Sequence, residues 1–247
     1  ATFFCVGQLA VEFPEVVKRI ADNGHEIGSH SNRHLWINKM TEQEFAEDTR
    51  IAIQEIEYLI GQKVKSFRAP AFSIGKDNAW AFEVLVDNGI EYDCSIFPTN
   101  RDFGGFPQFT SSVPSLVKKR DYTIKEFPIC PATLLGRGIP FSGGGYFRLV
   151  PLWLQKKLIN RMDYVMFYFH INDLIEQNSK FMTKQEFEEY FKEPGTLKNR
   201  ITRYVKTNIG KGGALNKLDT LLGNYSFCNV QQAAESIDWS KQPLIEL

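Results

Sequence analysis

The chain has 247 residues, and its 29 basic and 29 acidic side chains leave no net charge at pH 7. This balance excludes a global basic field for nucleic acid or for an anionic membrane surface. The 20 Phe, 9 Tyr and 4 Trp are too many for a disordered chain, and no apolar stretch is long enough to span a membrane, so the sequence predicts a soluble globular protein.

The first part of the chain alternates short apolar runs with amphipathic segments. We predict strands at residues 1–7, 64–67 and 90–94, and helices at residues 13–23, 41–60 and 77–88. Pro14 is typical of a first helical turn, Thr41 with Glu44 forms a capping-box pattern, and a glycine follows each helix. This alternation is typical of βα units around a parallel sheet or barrel.

The second part of the sequence differs in composition and in hydrophobic periodicity. Pro and Gly interrupt residues 97–146, where only residues 122–127 and 133–135 have an extended pattern, so we predict a loop-rich insertion. The βα rhythm then resumes, with predicted helices at residues 152–161, 180–203 and 229–237 and a strand at residues 164–170. We predict that residues 1–247 form a single domain.

The histidines are the first candidates for chemistry, because the four cysteines lie far apart and form no C-x-x-C pair. His30 and His34, in GHEIGSHSNRH, are four residues apart. On a helix, or on a turn entering one, both imidazoles project from one face at a separation that a tetrahedral metal accepts. The alternative is a pair of polar surface residues at the start of a helix. A zinc peptidase is disfavoured, since Ser31 stands where its helix has the basic Glu.

Three further residues follow predicted strands: Arg68 in FRAPAF, Asp93 in EYDCS and His170 in FYFHIND. The carboxyl ends of strands carry the active site in barrel-like α/β folds. Taken singly, each residue also has a structural explanation: Arg68 as part of a surface ion pair, Asp93 as a turn or helix-capping residue, and His170 as a hydrogen-bonded core histidine. Their shared placement favours a site, in which Asp93 is a plausible partner for His170.

Taken in order, the motifs ATFFCVG, GHEIGSHSNRH, RAPAF, YD and YFH resemble the polysaccharide deacetylases, the NodB-homology or carbohydrate esterase 4 class. The segments GRGIPFSGGGYFRL and FYFHIND further resemble a subgroup found with bacterial surface-polysaccharide synthesis genes. The resemblance covers residues 1–173 well, so we predict that residues 174–247 are a divergent C-terminal part.

The resemblance implies an α/β fold, an irregular (β/α)7 barrel, and a divalent metal cofactor, usually zinc. It implies a hydrolase of C–N amide bonds that removes N-acetyl groups from acetamido sugars of a bacterial surface polysaccharide or its precursor. The expected partner is therefore an N-acetylated carbohydrate, with no nucleic acid and no membrane span, and the oligomeric state stays open. We expect a cytoplasmic bacterial protein.

The family's site residues carry over onto matching positions. The resemblance implies that His30 and His34 bind the metal and that Arg68 orients the catalytic base. It implies that His170 is the general acid that protonates the leaving amine, with Asp93 tuning it. An imidazole held by a carboxylate suits that proton transfer.

Four residues are predicted to contact the substrate. The resemblance implies that the backbone around Ala71 donates to the oxyanion. Ala71 stands where many relatives have Tyr, so an aromatic contact to the sugar falls to Phe72. In SGGGYFR, Tyr146 can stack on a pyranose face and Arg148 can reach an anion. The alternative for this segment is a Gly-rich turn with two core aromatics.

The chain departs from the family at its first motif, an Asp-Asp pair that supplies the general base and the third metal ligand. No Asp-Asp occurs in this sequence, and residue 1 falls inside a predicted strand. We therefore expect that the barrel lacks its first strand here. A fragment of an active enzyme explains this, and so does a degenerate fold that binds glycan without turnover.

The fragment hypothesis predicts the mass of the native protein. A parallel strand and its crossover need a dozen or more residues, so a missing unit adds on the order of 2–4 kDa. Intact-mass measurement on the protein from its native source should exceed the 28.3 kDa of this chain. A native mass of 28.3 kDa would instead favour the non-catalytic module.

Overall fold

The structure is a computed structural model, and it describes residues 1–99, 104–134, 137–176, 179–191 and 193–247. Parts of four predicted segments lie outside the described residues. In the insertion these are residues 100–103 and 135–136, and residue 135 also belongs to the strand predicted at 133–135. In the divergent C-terminal part they are residues 177–178 and 192, and residue 192 also belongs to the helix predicted at 180–203.

The secondary structure alternates between strands and helices in the first part of the chain. The described strands are β1 (Thr2–Cys5), β2 (Glu26–Ser29), β3 (Ser66–Phe67), β4 (Tyr92–Asp93), β5 (Ser115–Lys119), β6 (Tyr122–Glu126), β7 (Ala132–Leu134), β8 (Arg137–Ile139) and β9 (Leu244–Glu246). The described α-helices are α1 (Gly7–Glu12), α2 (Pro14–Asp22), α3 (Glu42–Ile60), α4 (Ala81–Asp87), α5 (Gly144–Leu149), α6 (Leu152–Ile159), α7 (Ile171–Leu174), α8 (Lys184–Phe191), α9 (Leu197–Asn208), α10 (Ala214–Leu222) and α11 (Val230–Ser236).

The chain folds as two compact units. The first comprises Ala1–Cys130 and Phe227–Leu247, and the second comprises Pro131–Ser226. The unit boundary falls inside the predicted insertion at 97–146 and does not coincide with either of its ends. The single domain over residues 1–247 stays a prediction.

The first unit is built on a seven-stranded sheet with the order β1-β2-β3-β4-β6-β5-β9. Neighbouring strands are parallel from β1 through β4 to β6, whereas β5 and β6 form an antiparallel hairpin and β9 pairs parallel with β5. Helices connect β1 to β2, β2 to β3 and β3 to β4, as a βαβ crossover requires, whereas strand β5 lies between β4 and β6 in the chain. The predicted α/β class is therefore confirmed.

Backbone hydrogen bonds continue the parallel ladder past the carboxyl ends of the strands. Each bond joins the residue after one strand to the last residue of the preceding strand: His30 N to Cys5 O at 2.8 Å, Arg68 N to Ser29 O at 3.0 Å, and Cys94 N to Phe67 O at 2.9 Å. The first residues beyond β2, β3 and β4 thus form a row at one edge of the sheet.

Local signals in the sequence predicted the helices of the first unit well. Pro14 occupies the first turn of α2, and Gly61 ends α3 at a left-handed φ of 67°. The capping box at the start of α3 is confirmed, because Thr41 Oγ1 accepts the Glu44 N–H at 3.3 Å and the Glu44 carboxylate accepts the Thr41 N–H at 2.7 Å.

Other elements were missed or predicted wrongly. Helix α1 and strand β5 were not predicted, and the strand predicted at 164–170 is wrong, since this run makes one isolated bridge, Gly143 to Tyr168. Its Phe167 and Phe169 rings instead pack edge-on against Phe147, with centroids 6.1 and 4.7 Å away. An apolar run forms a strand only where a neighbouring strand pairs with its backbone N–H and C=O groups.

The helix predicted at 180–203 is two helices, α8 and α9. Pro194 and Gly195 lie between them, and proline is a poor continuation of a helix because it lacks the N–H donor. Among helices in the described ranges, none has the length and apolar composition that a membrane crossing requires.

Aromatic and aliphatic side chains between the sheet and its helices form the core of the first unit. Phe45 and Ile56 of α3, Phe67 of β3, and Phe82 and Leu85 of α4 are all at most 1% exposed. The Phe45 ring meets Phe67 edge-on at 5.7 Å. This core fixes α3 and α4 against the strands whose ends form the row.

Gly7 at the start of α1 lies where the structure has no space for a side chain. A Cβ there would lie 2.5 Å from Asn32 Oδ1 and 2.9 Å from Ala52 Cα. The Gly7 N–H also donates to Ser31 O at 3.0 Å. The close approach of α1 thus supports the loop that follows β2.

Gly7→Ala should therefore destabilise the protein. We expect the free energy of unfolding to fall by about 1–3 kcal/mol, the usual cost of overpacking. Urea denaturation measures it, with Gln8→Ala on the same helix as the control, because Gln8 is exposed and should change stability by less than about 0.5 kcal/mol. Equal losses in the two variants would contradict this account.

Candidate active site

The loop after β2 carries the two predicted metal ligands. It is a turn and not a helix, and two of its residues, Ser31 and His34, have left-handed φ values of 64° and 56°. The His34 N–H donates to Ser31 Oγ at 2.9 Å, which closes the turn. Such a conformation costs on the order of 1–3 kcal/mol per non-glycine residue and is concentrated at functional sites.

This turn brings the two imidazoles together. The ring centroids of His30 and His34 are 4.9 Å apart, with the planes at 66°. His30 Nδ1 lies 2.5 Å from Arg68 O, and since a carbonyl oxygen only accepts, Nδ1 carries the hydrogen. In this tautomer Nε2 carries no hydrogen, which is the form of an imidazole nitrogen that binds metals where a carbonyl orients the ring.

The donor chemistry at this pair suits a divalent metal but does not complete a site. Two neutral imidazoles are typical zinc ligands, and a tetrahedral site needs further donors. Among the described residues, no group of three or more His, Cys, Asp or Glu side chains is placed to hold a metal ion. His30 and His34 therefore fit as two of the ligands only.

A buried carboxylate of α3 accepts hydrogen bonds from the same turn. The Asp48 side chain is 0% exposed, and its Oδ2 accepts the Asn32 N–H at 2.6 Å. Its Oδ1 accepts from Arg33 Nε at 3.1 Å. Asp48 thus anchors the residues between the two histidines.

Arg68 follows β3 and reaches across the row of strand ends. Its Nε donates to Cys94 O at 3.1 Å, and its guanidinium carbon lies 4.4 Å from the centre of the Phe4 ring. Gly28 makes room for that ring, since a Cβ there would come within 2.7 Å of it. The Arg68 side chain is therefore fixed between β1 and β4.

The turn after Arg68 holds two of the predicted substrate contacts. Ala71 and Phe72 have left-handed φ values of 55° and 53°, and the Gly105 N–H donates to Phe72 O at 2.8 Å. Phe72 is only 6% exposed and meets Phe97 edge-on at 5.3 Å. Its packing places most of the ring in the core, and the contact of either residue with a sugar stays a prediction.

Asp93 ends β4 and is completely buried. Its Oδ1 accepts from Ser95 Oγ at 2.6 Å and its Oδ2 accepts the Ser95 N–H at 3.2 Å. Glu126, at the end of β6, is its register partner and is also completely buried. Burial raises the pKa of Asp93, and burial together with repulsion from Asp93 raises that of Glu126 well above its usual range.

The second unit contains the predicted general acid. His170 caps α7, with its side chain 71% exposed and its Nδ1 3.4 Å from Asp173 Oδ2. Burial opposes ionisation of Asp173, but hydrogen bonds from His170 and the charges of His170 and Arg148 outweigh it and lower the Asp173 pKa. The carboxylate partner of His170 in this unit is therefore Asp173, while its predicted pairing with Asp93 stays a prediction.

Arg148 and Tyr146 also lie in the second unit, on α5. The Arg148 side chain is only 3% exposed and donates to Thr207 O at 2.6 Å and to Lys206 O at 2.8 Å. Its Nη1 lies 3.4 Å from Asp173 Oδ1. These internal partners give Arg148 a structural role, whereas Tyr146 is 45% exposed, and sugar binding by both stays a prediction.

Comparisons with known proteins agree with the motifs. The family profile described as "Polysaccharide deacetylase" matches residues 1–92, and the profile described as "Domain of unknown function (DUF3473)" matches residues 94–235, more than half of the chain. The chain therefore belongs to the family described as DUF3473, and its residues 1–92 form a polysaccharide deacetylase match.

Curated relatives match about a third of this chain. A peptidoglycan-N-acetylglucosamine deacetylase of Bacillus cereus is 37% identical over 84 residues, which are 34% of this chain and 30% of that protein. A chitooligosaccharide deacetylase of Azorhizobium caulinodans is 30% identical over 86 residues, 34% of this chain and 38% of that protein. The chain thus spans about a third of the length of these relatives.

A solved structure extends the likeness to the whole fold. The crystal structure of a candidate polysaccharide deacetylase from Mycobacterium smegmatis covers 100% of this chain and 74% of its own, with a TM-score of 0.62 and 17% identity. At that identity the match shows the fold alone. It agrees with the predicted deacetylase fold.

Sequence reasoning missed several residues that contact the candidate residues within each unit, although signals for them existed. Asp48 lies on the face of α3 that buries Phe45 and Ala52, and Glu126 alternates inward with Ile124 on β6. A charged residue at an inward position needs a buried partner. Asp173 has the three-residue spacing of a helix cap relative to His170.

The anchoring role of Asp48 gives a stability prediction. Asp48→Ala removes the acceptor of the buried Asn32 N–H. We therefore expect the free energy of unfolding to fall by about 1–3 kcal/mol and hydrogen exchange of the Asn32 amide to become faster. Urea titration and amide hydrogen exchange measure both effects.

Glu47→Ala is the matched control on the same helix. Glu47 is 58% exposed and pairs with Arg50 at the surface, so its loss should change stability by less than about 1 kcal/mol. An Asn32 amide that exchanges equally slowly in the Asp48 variant and the parent would refute the anchoring role.

Proposed function

We propose that this chain is part of a metal-dependent hydrolase that removes N-acetyl groups from acetamido sugars of a bacterial surface polysaccharide or its precursor. The observation that carries the proposal is the pairing of His30 and His34 at the row of strand ends, with His30 Nδ1 on Arg68 O. The names of the curated relatives, peptidoglycan and chitooligosaccharide deacetylases, support this substrate class.

We infer that His30 Nε2 and the His34 ring bind a divalent metal, zinc. When bound, the metal supplies polarisation of the acetamide carbonyl and stabilisation of the charge that develops on its oxygen. The carbonyl of Arg68 holds the His30 ring in the required tautomer. The turn around Ala71 would donate a backbone N–H to the same developing charge.

The remaining catalytic roles follow from charge and proton positions. The Arg68 guanidinium is fixed by Cys94 O and Phe4, so it can orient an anionic base beside the histidines. His170 would protonate the leaving amine, and because its Nδ1 faces Asp173, Nε2 is the nitrogen that would give up the proton. Asp93 would act by shaping the site electrostatically.

The general base and the third ligand are proposed to come from outside the described residues. The described residues provide no group of three donors for a metal, and the sequence contains no Asp-Asp pair.

Phe72, Tyr146 and Arg148 are proposed to contact the sugar. A cytoplasmic location in a bacterium is also a proposal.

The test is release of acetate from N-acetylated chitooligosaccharides and peptidoglycan fragments by the protein from its native source. We expect His30→Ala to lower kcat/KM on the order of 100-fold or more and a chelator to abolish turnover. His25→Ala is the matched control, because His25 is an exposed histidine of the same segment. Parent-like rates in His30→Ala, or turnover that resists chelation, would exclude the proposal.

A second candidate is a glycan-binding module without turnover on the same fold. The incomplete donor set of the described residues favours it. It predicts saturable binding of chitooligosaccharides by calorimetry and no acetate release even with zinc added. Acetate release by the native protein decides against it.

A further inference from the structure

Glu126 is a buried acid that no catalytic role above has used. It lies at the carboxyl end of β6, opposite Asp93 of β4 in the parallel register, and neither residue is exposed at all. Two adjacent carboxylates in such a place cannot both be ionised without a large desolvation and repulsion cost. The site must therefore contain a proton.

The hydrogen bonds show which carboxyl carries that proton. Asp93 accepts two hydrogen bonds from Ser95, whereas Glu126 accepts one, from the Ile96 N–H to Oε1 at 3.1 Å. The other oxygen, Glu126 Oε2, is buried and has no donor among the described residues. A proton on Oε2 satisfies this atom and makes the hydrogen bond between the two carboxyl groups possible.

The surrounding charges agree with one proton and one negative charge on the pair. Arg68 is the cation that acts on Glu126, and the Cys94 thiol, itself buried, lies in the field of both carboxyls. Glu26 adds a further negative charge that acts on Cys94, with a smaller effect than either carboxyl. On β5 the register partner is the neutral Ser115, whose hydroxyl bonds to Ser111 and Val113.

We propose that Glu126 is a positioning residue of the site, which as a neutral acid donates a hydrogen bond to Asp93 and holds the turn from residue 93 to residue 96. This role rests on the proposed deacetylase function only where it concerns turnover. The protonated state and the fixed turn are properties of the chain itself.

The turn connects Glu126 to the predicted base-orienting residue. Ser95 Oγ donates to Asp93 and accepts the Ala69 N–H at 2.8 Å, and Cys94 O accepts from Arg68 Nε. Loss of the proton on Glu126 would place two negative charges under this turn. The Arg68–Ala69 backbone and the Arg68 side chain would then lose their fixed position.

The first experiment detects the proton directly. In the 247-residue chain labelled with ¹³C at glutamate carboxyls, one resonance should stay at the position of the protonated acid at neutral pH and disappear in Glu126→Gln. Glu83→Gln is the matched control: Glu83 is also buried but pairs with Arg120 at 3.1 Å, so this substitution should leave the resonance of the protonated acid in place. Absence of a protonated carboxyl in the parent, or its persistence in Glu126→Gln, overturns the proposal.

The second experiment tests positioning. The side-chain amide that Glu126→Gln introduces can donate to Asp93 as the neutral acid does. This variant should therefore keep the Ala69 amide and Arg68 Nε–H resonances, whereas Glu126→Ala should shift both. In the native protein Glu126→Ala should lower kcat on the order of 10- to 100-fold with little change in KM, and Glu126→Gln should restore most of it. Unshifted resonances in a folded Glu126→Ala variant overturn the role, whatever the activity.

The pH dependence of stability gives a further check. The folded chain keeps a proton that the unfolded chain releases above about pH 4.3, so this contribution is complete below that pH and is lost as the pH rises towards the folded pKa. The urea midpoint of the parent should therefore fall with rising pH more steeply than that of Glu126→Gln. Identical slopes in the two proteins overturn the proposal. The native protein could release no acetate while the chain still shows the protonated Glu126 carboxyl and the fixed turn at residues 93–96. That result would refute the deacetylase function but not the role of Glu126.

Discussion

The row of backbone hydrogen bonds at the carboxyl ends of the parallel strands is the constraint on which the candidate site depends. Each bond joins the last residue of one strand to the residue after the next strand, so the register of the sheet fixes His30, Arg68 and Cys94. Strands β3 and β4 have only two residues each, and the loops that carry chemistry begin immediately beyond them. The sheet therefore serves mainly to align these loops.

Buried polar groups then fix the loops in conformations that the backbone alone would not favour. Asp48 holds the turn between the histidines, and Ser95 links Asp93 to the Ala69 amide. Such groups are expensive to bury unless they are paired. Four non-glycine residues with left-handed φ lie in these two loops, at Ser31, His34, Ala71 and Phe72. The strain and the pairing together define one rigid arrangement.

The two matched profiles divide the proposed functional residues between them. The deacetylase profile contains His30, His34 and Arg68, whereas Glu126 and His170 fall within the DUF3473 match. Asp93 lies between the two matches, and its register partner on β6 is Glu126. Glu126 thus lies in the part of the chain that the DUF3473 profile matches and the deacetylase profile does not.

The sequence by itself determined the α/β class, the helices with strong caps such as α3, and the placement of Arg68 and Asp93 at strand ends. These features depend on local spacing and on alternation along the chain, which a sequence displays directly. Strand β2 was not predicted, so the position of His30 directly after a strand came from the structure. Only the tertiary structure decided that Asp48 supports the histidine turn, that Glu126 faces Asp93, and that residues 164–170 form no strand. Those outcomes depend on which segments become neighbours, because a buried charge or an apolar run acquires its role only from the partner that packing brings to it.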